Sequence, residues 1–296
     1  MQLVPDTRNT IALEQGEVLD QQHLPGAQHI LRIRAPRIAQ DAAPGMFAHI
    51  RCHSALPMRR PLSILRTSPE HGWVEFLYKS IGTGTHHLAE KRSGEDLSVL
   101  GPIGTPFSPQ QERSRPLLLG GGVGIPPVVF LAQQLAQEGD WKPLVLMGSE
   151  VPFPFEQRTS SFLIGGIPED VIAGMPLLEG WGVPSRLASL QGFSGCFQGY
   201  VTELAELWLQ GLEDTQRNQV EIFACGPTPM LRAAAALAES HELPCQVCLE
   251  EYMACGVGGC AGCAVRLRED GRDTMRRVCV DGPVFDARKV NWDAIS

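Results

Sequence analysis

Long apolar runs, clustered basic residues and a secretory leader are all missing from this 296-residue chain. No stretch approaches the roughly 20 apolar residues that a membrane-spanning helix needs. The polar start, with Gln2, Asp6 and Arg8, is unlike a signal peptide. A formal net charge of −8 without long charge runs argues against nucleic-acid binding. Nine cysteines, an odd number, make a disulfide framework unexpected. These absences predict a cytoplasmic protein with no membrane span and no nucleic-acid partner.

The cysteines that are present concentrate near the C-terminus. Cys255, Cys260 and Cys263 have the spacing C-x4-C-x2-C, and Cys279 follows after fifteen intervening residues. This is the plant-type ferredoxin arrangement for a [2Fe–2S] cluster. Glycines between the first three cysteines let the loop curl around two irons and leave N–H groups free to point at the sulfurs. Buried structural cysteines are the alternative. The spacing favours a [2Fe–2S] cluster bound by all four.

Two further cysteines allow a different metal site. Cys245 and Cys248 form a C-x2-C that could outline a zinc ribbon with Cys260 and Cys263. Against this, residues 245–249 alternate as a short strand, so the two upstream thiols would face opposite sides. Zinc would also leave two of the four motif cysteines without a role. A zinc-stabilised adaptor without enzymatic activity remains the minor alternative.

Residues 1–110 have the pattern of an antiparallel β-barrel domain. Short apolar runs at 29–33, 46–50 and 73–78 are bounded by proline and glycine. Two motifs within this domain could hold a ligand. An arginine can bind a phosphate bidentately, and a strand–glycine turn–helix start can accept a diphosphate. The candidate residues are Arg60, Pro61, Leu62 and Ser63 in the first motif, and Gly82, Gly84 and Thr85 in the second. For the first motif alone, a solvated arginine beside an edge-strand proline is the alternative.

Residues 111–243 are predicted to form a doubly wound α/β nucleotide-binding domain. Strand 116–119, a glycine loop and a helix with prolines in its first turn make a phosphate-binding turn, here G-x-G-x-x-P. A later strand, 220–224, ends at Cys225-Gly226-Pro227, at the edge where ligands bind such sheets. Cys225 is either a reactive thiol beside a cofactor or a buried small residue. No strand can be placed between 148 and 199, and residues 244–296 are assigned to a small C-terminal [2Fe–2S] domain.

Taken in chain order, these motifs resemble one family, the electron-transfer subunits of the NAD-linked dihydroorotate dehydrogenases, a branch of the ferredoxin–NADP reductase superfamily. The most specific stretches are 249–258 and 278–285. The resemblance implies FAD in the barrel, NAD(H) in the α/β domain and the cluster at the C-terminus. It implies that Arg60 holds FAD phosphate, that Ser63 lies near the flavin ring, and that the Gly82–Thr85 turn lines the same site. It places Cys225, the catalytic candidate, at the nicotinamide nucleotide with Gly122, Gly124 and Gly226.

The function implied by the resemblance is an electron relay. Nicotinamide exchanges a hydride with flavin, flavin exchanges single electrons with the cluster, and the protein sets distance and potential. The expected partner is the catalytic subunit of dihydroorotate dehydrogenase, in pyrimidine biosynthesis. The chain shows no acid–base constellation for a substrate of its own. The alternative is an NAD(P)H-dependent flavin and iron–sulfur reductase subunit that serves another redox partner.

The sequence departs from the family in three places. Family members usually carry an arginine where this chain has Tyr252, and their acidic pair is replaced around 190–192. The stretch 148–198 is also longer than usual. Glu150, which follows strand 144–147, favours NAD over NADP because a carboxylate suits a free ribose 2′-hydroxyl. Arg158 and Arg186 could still reach that site and reverse the preference.

Overall fold

A closed barrel of six antiparallel strands forms the first part of the chain, as predicted. The computed structural model describes residues 10–295, so the polar N-terminal residues Gln2, Asp6 and Arg8 lie outside the described part. Two short helices, α1 (Pro36–Asp41) and α2 (Thr83–Ala89), interrupt the barrel. Its strands are β1 (Ala12–Leu24), β2 (Gln28–Arg34), β3 (Phe47–Arg51), β4 (Arg60–Ser68), β5 (Trp73–Lys79) and β6 (Asp96–Ile103). They follow one another around the barrel in the order β1-β2-β5-β4-β3-β6.

Side-chain alternation along the barrel strands separates an apolar interior from an outer face. Ala48 and Ile50 of β3, and Leu62 and Ile64 of β4, belong to the interior core. Because successive side chains point to opposite faces of a strand, the residues between them point outward. The outer face of these two strands therefore carries Phe47, His49, Pro61 and Ser63. The predicted flavin-binding motif thus lies partly on the outside of the barrel.

The second sheet has six strands and a nucleotide-binding topology. Its strands are β7 (Arg115–Gly121), β8 (Leu144–Gly148), β11 (Ser185–Ala188), β12 (Val220–Cys225), β13 (Cys245–Cys248) and β16 (Val284–Asp286). They are ordered β11-β8-β7-β12-β13-β16. The first five run parallel and β16 is antiparallel. Buried parallel strands read as continuous apolar runs, which is why Leu117–Leu119 could be recognised in the sequence.

Helices cover this sheet, and the longest begins directly after the glycine loop. Helix α3 starts with Ile125 and has proline in its first turn, as predicted, where the missing N–H costs no hydrogen bond. Helices α5 and α7 pack on the sheet with Leu204 and Leu231 in one core. The helices are α3 (Ile125–Glu138), α4 (Pro176–Gly180), α5 (Val201–Gln210), α6 (Asp214–Arg217) and α7 (Thr228–Ser240). Among the described residues, no helix has the length and apolar character that crossing a bilayer requires.

The stretch that the sequence left without strands contributes the edge of the second sheet. A two-stranded ladder, β9 (Arg158–Thr159) with β10 (Ala173–Gly174), precedes α4. Strand β11 then pairs in parallel with β8. The sheet therefore contains a strand, β11, that the sequence pattern did not indicate.

The C-terminal part folds back on both preceding parts. A long loop, 249–263, leads into the hairpin β14 (Ala264–Glu269) and β15 (Arg272–Arg277). Strand β16 then joins β13, and Thr105, just after the barrel, bridges to Pro283. Strand β13 itself, which follows the predicted boundary at 243, lies in the second sheet. The division into domains 1–110, 111–243 and 244–296 stays a prediction.

Candidate functional site

The four motif cysteines lie in two pairs at the cluster loop, 249–263, and the turn after β15. The sulfurs of Cys263 and Cys279 are 3.3 Å apart and both residues are buried. Cys255 and Cys260 are joined by a side-chain hydrogen bond, and Cys260 is exposed. The loop thus presents one thiol pair at the protein surface and one beneath it.

Backbone N–H groups of the glycine-rich loop point at the sulfurs. Although burial opposes ionisation of Cys255, hydrogen bonds from the N–H groups of Val257, Cys260 and Gly259, and from the Cys260 side chain, lower its pKa to about 7. The Gly262 N–H lies 3.4 Å from Cys260 Sγ. At Cys279, burial and the neighbouring Cys263 raise the pKa to about 12. The loop supplies the donors that a group of bound thiolates requires, and a bound cation would remove the remaining proton.

The thiol pairs fit a two-iron cluster better than a single ion. Within residues 10–295, no three His, Cys, Asp or Glu side chains converge as a site for one metal ion. A [2Fe–2S] cluster instead takes two protein ligands on each iron. Cys255 with Cys260, and Cys263 with Cys279, would provide these as neighbouring pairs. The donor set therefore fits a [2Fe–2S] cluster.

The zinc alternative finds no support because its cysteines are separated by the sheet. Cys245 packs in the core that contains Cys263, whereas Cys248 packs in the core on the other side, with Cys225. The expected alternation along β13 is therefore present. Two thiols on opposite faces of one strand cannot both bind one tetrahedral ion.

An ion pair braces the cluster loop from the adjacent hairpin. Arg277 donates two hydrogen bonds to the Asp281 carboxylate, both at 3.0 Å. The same guanidinium donates to the Gly258 carbonyl at 2.9 Å. Gly258 has a φ of +79°, a conformation that strongly favours glycine. Arg277 thereby holds the turn between the first two cluster cysteines.

The two candidate flavin motifs meet at one point. Gly84, in the first turn of α2, lies against the Arg60 guanidinium, so closely that a Cβ there would come within 2.9 Å of Arg60 Nε. Arg60 donates only to the carbonyls of Met58 and Arg59, and within the described residues no carboxylate pairs with it. Its charge is thus available to an anionic ligand. The first N–H groups of helix α2 have no acceptor within the helix. They are therefore further hydrogen-bond donors beside the Arg60 guanidinium.

The neighbouring arginine and threonine have structural roles. Arg59 donates to the carbonyls of His49 and Ser98, which ties β3 to β6. Thr85 Oγ1 accepts from the N–H groups of Ile81 and Gly82, at 3.1 Å each. Those two N–H groups are therefore used within the turn. The binding roles of Gly82 and Thr85 stay predictions.

The two nucleotide motifs are also in direct contact. A Cβ at Gly124 would collide with the Cys225 carbonyl, so the glycine loop packs directly on the Cys225-Gly226 turn. Gly122, at a φ of +54°, has open space where a Cβ would be. Both loops follow the carboxyl ends of parallel strands, β7 and β12, where ligands bind in this architecture. The geometry leaves room for a ligand above Gly122.

Cys225 lies beneath this surface as a protonated thiol. It is fully buried, and its partner across β12 and β13 is Cys248. The hydrogen bond with Cys248, together with burial, raises the pKa of Cys225 well above its usual value. A thiolate nucleophile is therefore not favoured, although a contact with the nicotinamide ring stays a prediction.

Comparisons with known proteins decide the family. A profile of the iron–sulfur cluster binding domain of dihydroorotate dehydrogenase B matches residues 250–291. The dihydroorotate dehydrogenase B (NAD(+)) electron transfer subunit of Desulforamulus reducens is 31% identical over 267 residues, covering 90% of this chain and 93% of its own. That of a Geobacillus species is 32% identical, covering 94% and 99%. This chain belongs to that family of electron transfer subunits. The resemblance of its motifs is confirmed.

Solved structures confirm the fold of this electron transfer subunit. A chain from the NADH-dependent reduced ferredoxin–NADP oxidoreductase structure, determined for insight into flavin-based electron bifurcation, is 28% identical. It superposes with a TM-score of 0.75 over 95% of this chain and 91% of its own. A ferredoxin reductase in carbazole 1,9a-dioxygenase, at 20% identity and a TM-score of 0.61, shares the fold.

The structure shows where the residues lie that could affect the partner or the nucleotide preference. Tyr252 is 94% exposed on the cluster loop, and Glu150 is exposed after β8. Arg186 is buried in β11 and donates to the carbonyls of Ser185 and Phe162. Its guanidinium is therefore hydrogen-bonded inside the protein and does not face a nucleotide at the surface. Sequence reasoning missed this strand because an arginine is rarely buried.

Proposed function

We propose that this chain transfers electrons between NAD(H) and a partner flavoprotein that oxidises dihydroorotate, in pyrimidine biosynthesis, through FAD and a [2Fe–2S] cluster. The observation that carries the proposal is the arrangement of four thiols in two neighbouring pairs on a loop rich in N–H donors. Family membership supports the cofactors and the partner. The relay converts two-electron hydride chemistry of the nicotinamide into single-electron steps.

The residues of the barrel would bind the flavin nucleotide. Arg60, which has no carboxylate partner among the described residues, would neutralise a phosphate with charge-assisted hydrogen bonds. Gly84 leaves room for that guanidinium at the start of α2, because a side chain at position 84 would collide with it. Pro61, Leu62 and Ser63 continue β4 from the arginine, and Ser63 faces outward where the flavin ring would lie.

The residues of the second sheet would bind the nicotinamide nucleotide. Gly122 and Gly124 let the backbone approach a diphosphate closely, and the α3 N-terminus favours negative charge there. Cys225 and Gly226 lie at the adjacent strand end and would lie beneath the nicotinamide, with the Cys225 thiol below the surface. Glu150 is exposed after β8, while Arg186 is unavailable to a 2′-phosphate, which supports NAD(H) over NADP(H).

The cluster loop would form the contact with the partner. Tyr252 and Val257 are exposed beside the thiol pairs, and Cys260 of the outer pair is itself exposed. Redox centres must approach closely to exchange electrons. Tyrosine is one of the residue types enriched among interface hot spots. The chain would work in a reducing cytoplasm, since thiolate ligands and an exposed cysteine are preserved there.

A second partner class is favoured by one specific observation. The 28% identical chain comes from a structure of NADH-dependent reduced ferredoxin–NADP oxidoreductase, so the same architecture serves a different redox partner there. Tyr252, in place of the arginine usual in the family, lies on the surface that would meet the partner. A flavin and iron–sulfur reductase subunit for another partner is therefore the second candidate.

Purified protein tests the cofactor assignment directly. We expect FAD, two irons per chain, and NADH oxidation with artificial acceptors, but no turnover of dihydroorotate by the chain alone. Oxidising dihydroorotate needs a base at its carbon and a flavin facing it, and neither is found among the proposed site residues. A colourless protein that contains zinc would support the adaptor and refute the relay.

A further inference from the structure

Glu250 lies at the carboxyl end of β13, beside the turn that follows Cys225. Strands β12 and β13 run in parallel, and Cys225 is in register with Cys248, two positions before Glu250. The Leu249 N–H donates to the Pro283 carbonyl at 2.9 Å, so the chain stays paired for one residue beyond β13. Glu250 therefore lies at the edge of the sheet where the nucleotide motifs are found.

Side-chain alternation directs Glu250 to the face of the sheet on which Cys225 packs. Val247 and Leu249 belong to the core on one face, whereas Cys248 belongs to the core on the other face, with Cys225. Continuing the alternation by one residue places the Glu250 side chain on the side of Cys248. An electrostatic interaction agrees with this placement: after the Cys248 hydrogen bond and burial, the charge of Glu250 is a further cause that raises the pKa of the Cys225 thiol.

The barrel and helix α3 cover the same face. Leu65 of β4 packs in the core that contains Cys248 and Ile125, the first residue of α3. Ser63, the residue expected near the flavin ring, lies two positions before Leu65 and points outward from the barrel as Leu65 does. The Glu250 side chain therefore points to the side of the sheet where the flavin motif and the nucleotide motif approach each other.

The carboxyl group of Glu250 lies in a recess and has no partner of opposite charge. The side chain is exposed to solvent, yet the surrounding protein desolvates its carboxyl and raises its pKa. Exposure combined with desolvation is expected for a group in a concave site, the shape that binds small ligands. Among the described residues, no hydrogen bond or cation contributes to this shift. A cation bound in the recess would offset the cost of desolvation.

We propose that Glu250 lines the nicotinamide site and that its carboxylate favours binding of NAD+ over NADH. The nicotinamide ring is positively charged in NAD+ and neutral in NADH, so attraction to a carboxylate acts on the oxidised form alone. In the direction that forms NADH, this preference binds the substrate and releases the neutral product. The inference rests on the proposed function, because it needs NAD(H) bound above the glycine loop.

Calorimetric titration of the oxidised, FAD- and iron-loaded protein with three nucleotides tests this role. NAD+ has the cationic ring, tetrahydro-NAD has a neutral ring that transfers no hydride, and ADP-ribose has no nicotinamide ring. Glu250→Gln keeps the size of the side chain but removes its charge. We expect the Kd for NAD+ to rise about tenfold, as for the loss of one charge pair in a partly solvated site. The Kd values for tetrahydro-NAD and ADP-ribose should change less than about twofold, and Glu250→Asp should keep most of the preference for NAD+.

Glu251→Gln is the matched control, because it removes the same charge from the next residue; it should leave all three Kd values unchanged. An equal loss of NAD+ affinity in the two glutamine variants would assign the effect to overall charge and overturn the proposal. An unchanged ratio of the Kd values for NAD+ and tetrahydro-NAD in Glu250→Gln would also overturn it. Wild-type protein that binds neither NAD+ nor ADP-ribose would refute the proposed function, whereas normal wild-type binding with an unaffected Glu250→Gln refutes only the role of Glu250.

Discussion

Gly84 lies directly against the guanidinium of Arg60, with only 2.9 Å between a Cβ position at residue 84 and Arg60 Nε. The two residues come from different motifs, 24 positions apart in the chain, and neither motif alone is specific. Their contact explains why one position is an arginine and the other a glycine. The arginine carries an unpaired charge to the start of a helix, and the glycine makes room for it.

Replacing Arg60 should weaken FAD binding. Arg60→Ala removes charge-assisted hydrogen bonds worth about 1.5–3 kcal/mol, so the Kd for FAD should rise roughly tenfold or more. Arg51→Ala is the control, because Arg51 is exposed in β3 and, among the described residues, its guanidinium donates to the Ser54 carbonyl alone. Flavin retention after dilution, measured by fluorescence, checks the prediction. Equal FAD retention in the two variants would show that Arg60 does not bind FAD.

Adding a single methyl group at position 84 should also weaken FAD binding. Gly84→Ala forces the guanidinium of Arg60 aside, so we expect about tenfold weaker FAD binding. The free energy of unfolding should fall by less than about 1 kcal/mol, because a flexible side chain can move away. Gly165→Ala, where no atom lies within 4 Å of the new Cβ, is the control. Full FAD affinity in Gly84→Ala would show that the position of Arg60 does not matter.

The cluster ligands can be separated from the other buried thiols. Cys279→Ser removes one ligand of the buried pair and should reduce iron content to near zero, with loss of the brown colour. Cys248→Ser changes a thiol that lies in the other core, beside Cys225, and should keep its iron. Iron and sulfide assays on both variants provide the measurement. Loss of iron from Cys248→Ser alone would reverse the ligand assignment.

NADH should be the preferred nucleotide. Glu150 is exposed after β8 and favours a free 2′-hydroxyl, while Arg186 is buried and Arg158 pairs with Glu156 at 3.4 Å. We expect a higher kcat/KM for NADH than for NADPH with an artificial acceptor. Glu150→Gln should narrow the difference in kcat/KM between the two nucleotides. Glu239→Gln, at an exposed position in the last turn of α7, serves as the control for a lost surface charge. A higher kcat/KM for NADPH in the wild type would contradict this reading.

The parts of the fold that could be predicted are those specified by local sequence. Residues 116–137 show an apolar strand, a glycine loop and a helix with early prolines, and all three elements formed where expected. The alternation at Cys245–Cys248 likewise predicted a strand with thiols on opposite faces. Both patterns depend on residues only a few positions apart in the chain. A single sequence was therefore enough to predict these elements.

The parts that escaped prediction depend on contacts between distant segments. Strand β11 contains Arg186, whose burial is compensated by the carbonyl of Phe162, 24 positions away. His49 of β3 lies with its buried ring against Gly256 of the cluster loop, a contact between segments far apart in the chain. The alternation of the run 46–50 could have placed His49 on the outer face. Nothing in the sequence could have shown which segment covers that face.

The most direct test of the relay is anaerobic reconstitution with a dihydroorotate-oxidising flavoprotein subunit from the same organism. Neither protein alone should reduce NAD with dihydroorotate, because the base and the facing flavin lie on one protein and the nicotinamide site on the other. The mixture should form NADH at a rate that saturates as a complex forms, and Cys279→Ser should abolish it. Dihydroorotate turnover by this chain alone, or no NADH from a mixture of both fully loaded proteins, would contradict the account.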